Sequence, residues 1–566
     1  MTQKLIAILL IFTFNSCNGQ DLIDTYIGGW SGELEEPNPF LFEINIKIDE
    51  PDKSEAYFIG QDTITTIKLS TENEQYLIGR FTDQLIIRVD YNENNPIAFI
   101  HTGHHLSHLA LEKSGVNSWT GKWNLLIEAS NSPTFYLSLD KFDDGNYGAS
   151  TFFKEPTFHY MWGQEFKYKE DVFEFVDIRS DLNFQGHLLN GKIDLTFNFL
   201  NEEAKVELLP LPYNEWEIGH SKEQNVNQND VKLEAKTFSR LLTDILNDTL
   251  DGTHSVIISI DGNIIFEQYF DDFTPNTPHD TRSLTKSFAS AITGIAIAQN
   301  IIESENIYIK PFFEESYPRI DWSNGKDSIT VAHLLTMSSG LDAIDFGLNR
   351  TSFANEGNYQ EQEDWTEYIL SAPMVNQAGG AHYYGSGNPH LLAPILSSKL
   401  DERLEFFIHK NLFQPLSITN YRIQTDNKDL PYFGGGWYFT PMDLLKFGQL
   451  YLNKGSWEDN QIIPESWVEK SLHKYGFLEN AWDKNEYGYL FWHKTYEIGG
   501  RKIESIEARG AGGQYLFIVP EMDLVVNITS GNYRNNKGFQ PERIMKDYIL
   551  TEILRENEAQ HYIKRQ

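Results

Sequence analysis

Cysteine is all but missing: among 566 residues there is one, Cys17, which excludes an internal disulfide framework. Positive charge is also short. Lys and Arg number 46 against 81 Asp and Glu, a formal net charge of −35. A surface this acidic repels phosphate backbones, so nucleic acid is not expected as a partner. Beyond the first twenty residues no run is long and apolar enough for a transmembrane helix. The sixteen histidines contain no H-E-x-x-H pair, and "HTGHH", His101 to His105, falls where a β turn is expected. No metal site is read from them. No Gly-rich phosphate loop opens a helix after a strand, and no cofactor is implied.

Apolar residues make up 40 % and aromatics 14 %, ample for two or three domains with large cores. The opening "MTQKLIAILLIFTFNSCNGQ" places Lys4 before an apolar run from Leu5 to Phe14. That run is too short to span a bilayer and has the shape of a secretory signal. Cys17 stands where the lipobox of bacterial lipoproteins carries the thiol that receives lipid. Ser16 matches the small residue before it, while Phe14 and Asn15 depart from the pattern. The expectation is a lipoprotein-type signal over 1–20 and an exported protein, periplasmic or at the cell surface. Its only membrane contact would be the lipid on Cys17.

Residues 21–215 read as strands. "FLFEINIKI", "TITTIKLS", "QLIIRVDY" and "KIDLTFNF" alternate apolar and polar residues between Gly, Asn and Asp turns. "WSG" at Trp30 before "FLFEINIKI" parallels "WTG" at Trp119 before "TFYLSLDKF". This suggests an all-β domain, barrel- or sandwich-like, made of two related units. Its aromatics are expected in the core. A linker, 216–232, contains "HSKEQNVNQND" with almost no apolar residues. From 233 to 566 the texture is mixed. "HSVIISIDGNIIFEQYF" reads as a hairpin about Asp261–Gly262, several helices follow, and "QYLFIVP" and "DLVVNITSG" are late strands. An α/β domain follows from this, with one antiparallel sheet assembled from distant pieces and flanked by helices.

Chemistry concentrates in "HDTRSLTKSFASAITGIAIAQ", His279 to Gln299. Ser283 and Lys286 are three residues apart, so on a helix they share a face, with Cβ atoms roughly 5–6 Å apart. A serine hydroxyl is a weak nucleophile until a base takes its proton. A lysine serves as that base only if desolvation or a nearby cation keeps its amine neutral. By itself the pair is more often a helix cap and a solvated lysine. A second S-x-x-K occurs at Ser471 and Lys474.

Four stretches add context: "TRSLTKSFAS", "ITVAHLLTMSSGLD" from Ile329, "HYYGSGNPHLLAPIL" from His382, and "GGGWYFTPMDLLKFGQLYLNKGSW" from Gly434. In this order they resemble the class C β-lactamase-like serine hydrolases of the penicillin-recognising group, over roughly 237–548. The resemblance implies a β-lactamase-like α/β fold and Ser283 as nucleophile, with Lys286 and Tyr384 as base and acid. Ser386 stands in the asparagine place of the Y-x-N motif. In "EARGAGGQYLFIVP", Gly510 fills the glycine of the third motif, and the amides of Ser283 and Ala511 would form the oxyanion hole. Ala508 occupies the basic or aromatic place of that motif, with Arg509 beside it as a possible substitute charge. Penicillin-binding members use a lysine there for the substrate carboxylate. "GAGGQ" is instead similar to the 6-aminohexanoate-dimer hydrolase and esterase branch. The expected activity is hydrolysis of a small-molecule ester, amide or peptide through an acyl-enzyme. Two rivals remain: a penicillin-interactive cell-wall peptidase or β-lactamase, and a non-catalytic binding lipoprotein.

Overall fold

The computed structural model describes residues 21–556 except 35–39, 50–52, 62, 73–74, 82–84, 92–94, 127–133, 143, 154–162, 178–179, 181, 201, 212–237, 272, 482–484 and 534. The leader with Cys17 and the linker 216–232 lie outside the described residues. Up to Leu211 the chain forms two antiparallel sheets, a near-barrel and a curled half-barrel. In the strand Leu182–Leu189 every second residue is buried, the period that turns one face inward. Aromatic rings fill the interior, with Phe184 4.9 Å from both Phe175 and Phe197, and Phe135 5.4 Å from Phe197.

The two stretches that parallel each other in sequence exchange their leading strands. Gly28–Glu33, which carries Trp30, pairs with Thr134–Lys141, whereas Ser118–Asn124, which carries Trp119, pairs with Leu41–Lys47. One core therefore runs through both stretches.

The later part is an eight-stranded antiparallel sheet in which Thr253–Ile260 lies between Asn263–Tyr269 and Leu524–Ser530. Residues 264 positions apart or more thus share one sheet, as the sequence suggested. Alternation sends Ile257 to one face and Val256 and Ile258 to the other, each into its own core. The helix Thr285–Ala298 is buried on nearly every side. A Cβ on Gly294 would come within 2.2 Å of the Trp467 indole, so this position needs glycine for the helices to approach.

The two parts share a sheet. The strand Tyr421–Gln424 pairs with His105–Leu109 of the N-terminal region, with Arg422 opposite Ser107 and Gln424 opposite His105. Its other edge holds Tyr438–Phe439, which pairs in turn with His279–Asp280. The N-terminal sheet thus continues, strand by strand, to within a few residues of Ser283.

Candidate active site

After His279–Asp280 the chain turns sharply. Arg282 has φ of 50°, a left-handed conformation that non-glycine residues seldom adopt. Neighbours hold it there. The Asp280 carboxylate accepts the Arg282 N–H at 2.9 Å and pairs with its guanidinium at 3.1 Å, and the Tyr533 ring lies 5.0 Å beneath. Such strain is tolerated where surrounding contacts over-determine it. The turn delivers Ser283 within the short helical turn Arg282–Leu284, and Lys286 follows in the first turn of Thr285–Ala298.

Lys286 is 1 % exposed. Its Nζ donates to Ser283 Oγ at 2.9 Å and to the Gly434 carbonyl, and lies 5.0 Å above the Tyr384 ring. Burial lowers its pKa from the usual lysine range, while the negative charges of Glu356 and Asp345 oppose that shift. A lysine so placed can be neutral and accept the serine proton.

Tyr384 is buried, which pushes its phenol pKa well up, and the neighbouring Ser283 hydroxyl pulls the other way. The balance favours a neutral phenol over an ionised one, which suits a proton donor. Asn480 fixes the backbone: its Oδ1 accepts the Tyr384 N–H at 2.8 Å and its Nδ2 donates to the Tyr384 carbonyl at 3.1 Å. Phe346 and Trp492 flank the ring at 5.2 and 5.3 Å.

Gly510 meets the segment before the serine. A Cβ there would lie 2.1 Å from the Thr281 carbonyl, a close approach only glycine permits. The following turn, Ala511 to Gly513, therefore sits beside the Ser283 segment.

Two supporting residues do other work than their places suggest. Ser386 does not reach Lys286: its N–H and hydroxyl both donate to Asp345 Oδ2, at 2.8 and 2.7 Å. Arg509 is not a free charge for substrate. It is buried, 2.6 Å from Glu507 and 3.3 Å from Glu542, with its guanidinium 5.0 Å from the centre of the Trp492 ring. Ala508 is fully buried. The second S-x-x-K has no such geometry, since Ser471 donates to the Trp467 carbonyl and Lys474 pairs with Glu486 and Glu504. In "HTGHH", His101 lies 3.3 Å from Asp429 and His104 stacks on Trp365. Among the described residues no cluster of three or more His, Cys, Asp or Glu is arranged to hold a metal.

Asp345, Glu356 and Asn480 did not emerge from the sequence. None belongs to a spaced motif, and each reaches the site from an irregular segment or the start of a short helix.

Comparison with known proteins matches the family model described as Beta-lactamase to residues 248–547, just over half the chain. No curated protein matches. Among solved structures, a candidate 6-aminohexanoate-dimer hydrolase from Bacillus anthracis shares 20 % identity, covering 61 % of this chain and 95 % of its own, at a TM-score of 0.46. A family VIII carboxylesterase shares 13 %, covering 55 % and 94 %, at 0.44. A penicillin-binding protein homologue from Caulobacter crescentus shares 13 %, covering 56 % and 95 %, at 0.45.

Proposed function

This chain belongs to the beta-lactamase family, and we propose that it is a serine hydrolase of the esterase or amidase type acting through an acyl-enzyme on Ser283. The observation that carries the reading is the buried amine of Lys286, 2.9 Å from Ser283 Oγ. Lys286 takes the hydroxyl proton as Oγ attacks the carbonyl. The amides of Ser283 and Ala511 receive the oxyanion, where each donor is worth about 3–4 kcal/mol. Tyr384 protonates the leaving group and recovers a proton from the Lys286 ammonium. Water then releases the acyl group, its proton taken up by the neutral Lys286 and passed on to the departing Ser283 Oγ. Substrates are small esters, amides or peptides. Against the penicillin-interactive reading stand the apolar Ala508 and the engagement of Arg509 by Glu507 and Glu542. Export as a lipid-anchored protein rests on Lys4, the run Leu5 to Phe14 and Cys17.

The test is intact-mass detection of an adduct after treatment with a fluorophosphonate and, separately, a penicillin. Wild type gains the phosphonyl mass and Ser283→Ala does not, while penicillin leaves both unmodified. Stable penicillin acylation of wild type would move the cell-wall reading ahead. A folded wild type that resists the fluorophosphonate would favour the binding-protein reading.

A further inference from the structure

We propose that the carboxylates of Asp345 and Glu356 are the counter-charge of Lys286, holding the lysinium that forms when it takes the Ser283 proton. The proposal rests on the serine-hydrolase reading and assigns two positioning residues to that site.

In the asparagine place of the tyrosine motif stands Ser386, whose short side chain turns to Asp345 rather than to Lys286. Asp345 is tied to the Tyr384 segment: its own N–H donates to the Tyr384 carbonyl at 3.1 Å. Its other oxygen accepts the Glu356 N–H at 3.0 Å. Glu356 is tied in turn to the Gly434 segment. Its Oε1 accepts the Tyr432 hydroxyl at 2.5 Å, and Tyr432 lies two residues before Gly434, whose carbonyl receives Lys286. The two acids thus adjoin each other, tied to the segments of Tyr384 and Gly434 that Lys286 touches.

The proton balance explains the need. As the Ser283 O–H bond breaks, its proton passes to the Lys286 Nζ lone pair. The Oγ–C bond forms, and the carbonyl π pair moves to oxygen. A neutral amine becomes a cation inside a buried site, where an unpaired charge is unfavourable. The negative charge of this acid pair offsets that, as the aspartate of a Ser-His-Asp triad stabilises its imidazolium. Burial and the Glu356 charge push the Asp345 pKa up to about 6, so Asp345 contributes its charge above that pH.

Lys286 faces Glu356, Asp345, the Ser283 hydroxyl and the Tyr384 ring, while the two acids also face Tyr359, Tyr384 and Tyr432. Negative neighbours raise the lysine pKa, so removing one lowers it. Because the base must be neutral, reactivity falls as pH drops through that pKa. Losing a carboxylate therefore moves this acid limb to lower pH.

The experiment is the rate of phosphonylation of the full chain by a fluorophosphonate, followed by intact mass from pH 5 to 10. Asp345→Asn and Glu356→Gln are expected to slow the plateau by roughly 10-fold or more and to move the acid limb down by about 1 pH unit. Glu356→Asp retains the charge and returns the limb towards wild type. Ser386→Ala removes a hydrogen bond that lowers the Asp345 pKa, and moves the limb less than Asp345→Asn does. An unmoved limb in a folded Asp345→Asn or Glu356→Gln chain overturns the proposal, even if the plateau falls. If Ser386→Ala moves the limb as far as Glu356→Gln does, charge is not the cause and the proposal is equally lost. A wild type that is never labelled would instead sink the hydrolase reading itself.

Discussion

Replacing Lys286 with methionine is expected to slow phosphonylation of Ser283 by about 10²–10⁴-fold, the range that a positioned general base supplies. The fold should survive the change. Lys286 is buried and hydrogen-bonds Ser283 and Gly434, and an unbranched apolar side chain fills similar space without a charge to desolvate. Lys286→Arg separates two roles. Its guanidinium keeps the positive charge but does not deprotonate, so it should be as slow as methionine if the lysine is a base. An arginine variant that retains most of the rate would mean that Lys286 acts only by charge. Lys474→Met is the internal control, because Lys474 serves ion pairs with Glu486 and Glu504 and should leave the rate unchanged.

What was legible in the sequence was local. Ser283 and Lys286 are one helical turn apart, and the hairpin about Asp261–Gly262 announces itself by two apolar runs and a turn. The order of four motifs identified the family that residues 248–547 match. Period-two alternation also held a warning about Arg509. On the strand Arg501–Gly510 it shares a face with Glu507, and Ala508 points the other way, so its pairing away from the third motif was implicit in the spacing. Asp345 and Glu356 were not legible, because a carboxylate in an irregular segment or at the start of a short helix looks the same whether it faces solvent or a buried lysine. Nor was the shared sheet. Tyr421–Gln424 is four residues long, and nothing in it names a partner more than 300 residues earlier.

That joint carries the second large expectation. Arg88→Met should destabilise the protein by about 1–3 kcal/mol. This is less than for a fully buried pair, because the Asp429 side chain is one-third exposed and water compensates part of the loss. Arg88, from the N-terminal region, is 1 % exposed, with Nη2 2.8 Å from Asp429 and Nη1 3.7 Å from Glu405, both in the later, β-lactamase-like part. Glu405 keeps Arg403 at 2.5 Å, so the uncompensated charge falls mainly on Asp429, which also faces His101. Asp429 has φ of 62°, a conformation asparagine tolerates, so Asp429→Asn is the fitting second change. If the pair is the source of the loss, adding Asp429→Asn to Arg88→Met restores part of it, and the non-additivity measures their coupling. Urea unfolding of the four proteins supplies the comparison. The sheet adds a kinetic consequence. Strand Leu85–Asp90 lies two strands from His105–Leu109, and from there pairing runs through Tyr421–Gln424 and Tyr438–Phe439 to His279–Asp280. If that sheet positions the Arg282 turn, Arg88→Met slows phosphonylation of Ser283 even under conditions where the variant is fully folded. An unchanged rate in the folded variant would mean that the N-terminal region holds the β-lactamase-like part without tuning it.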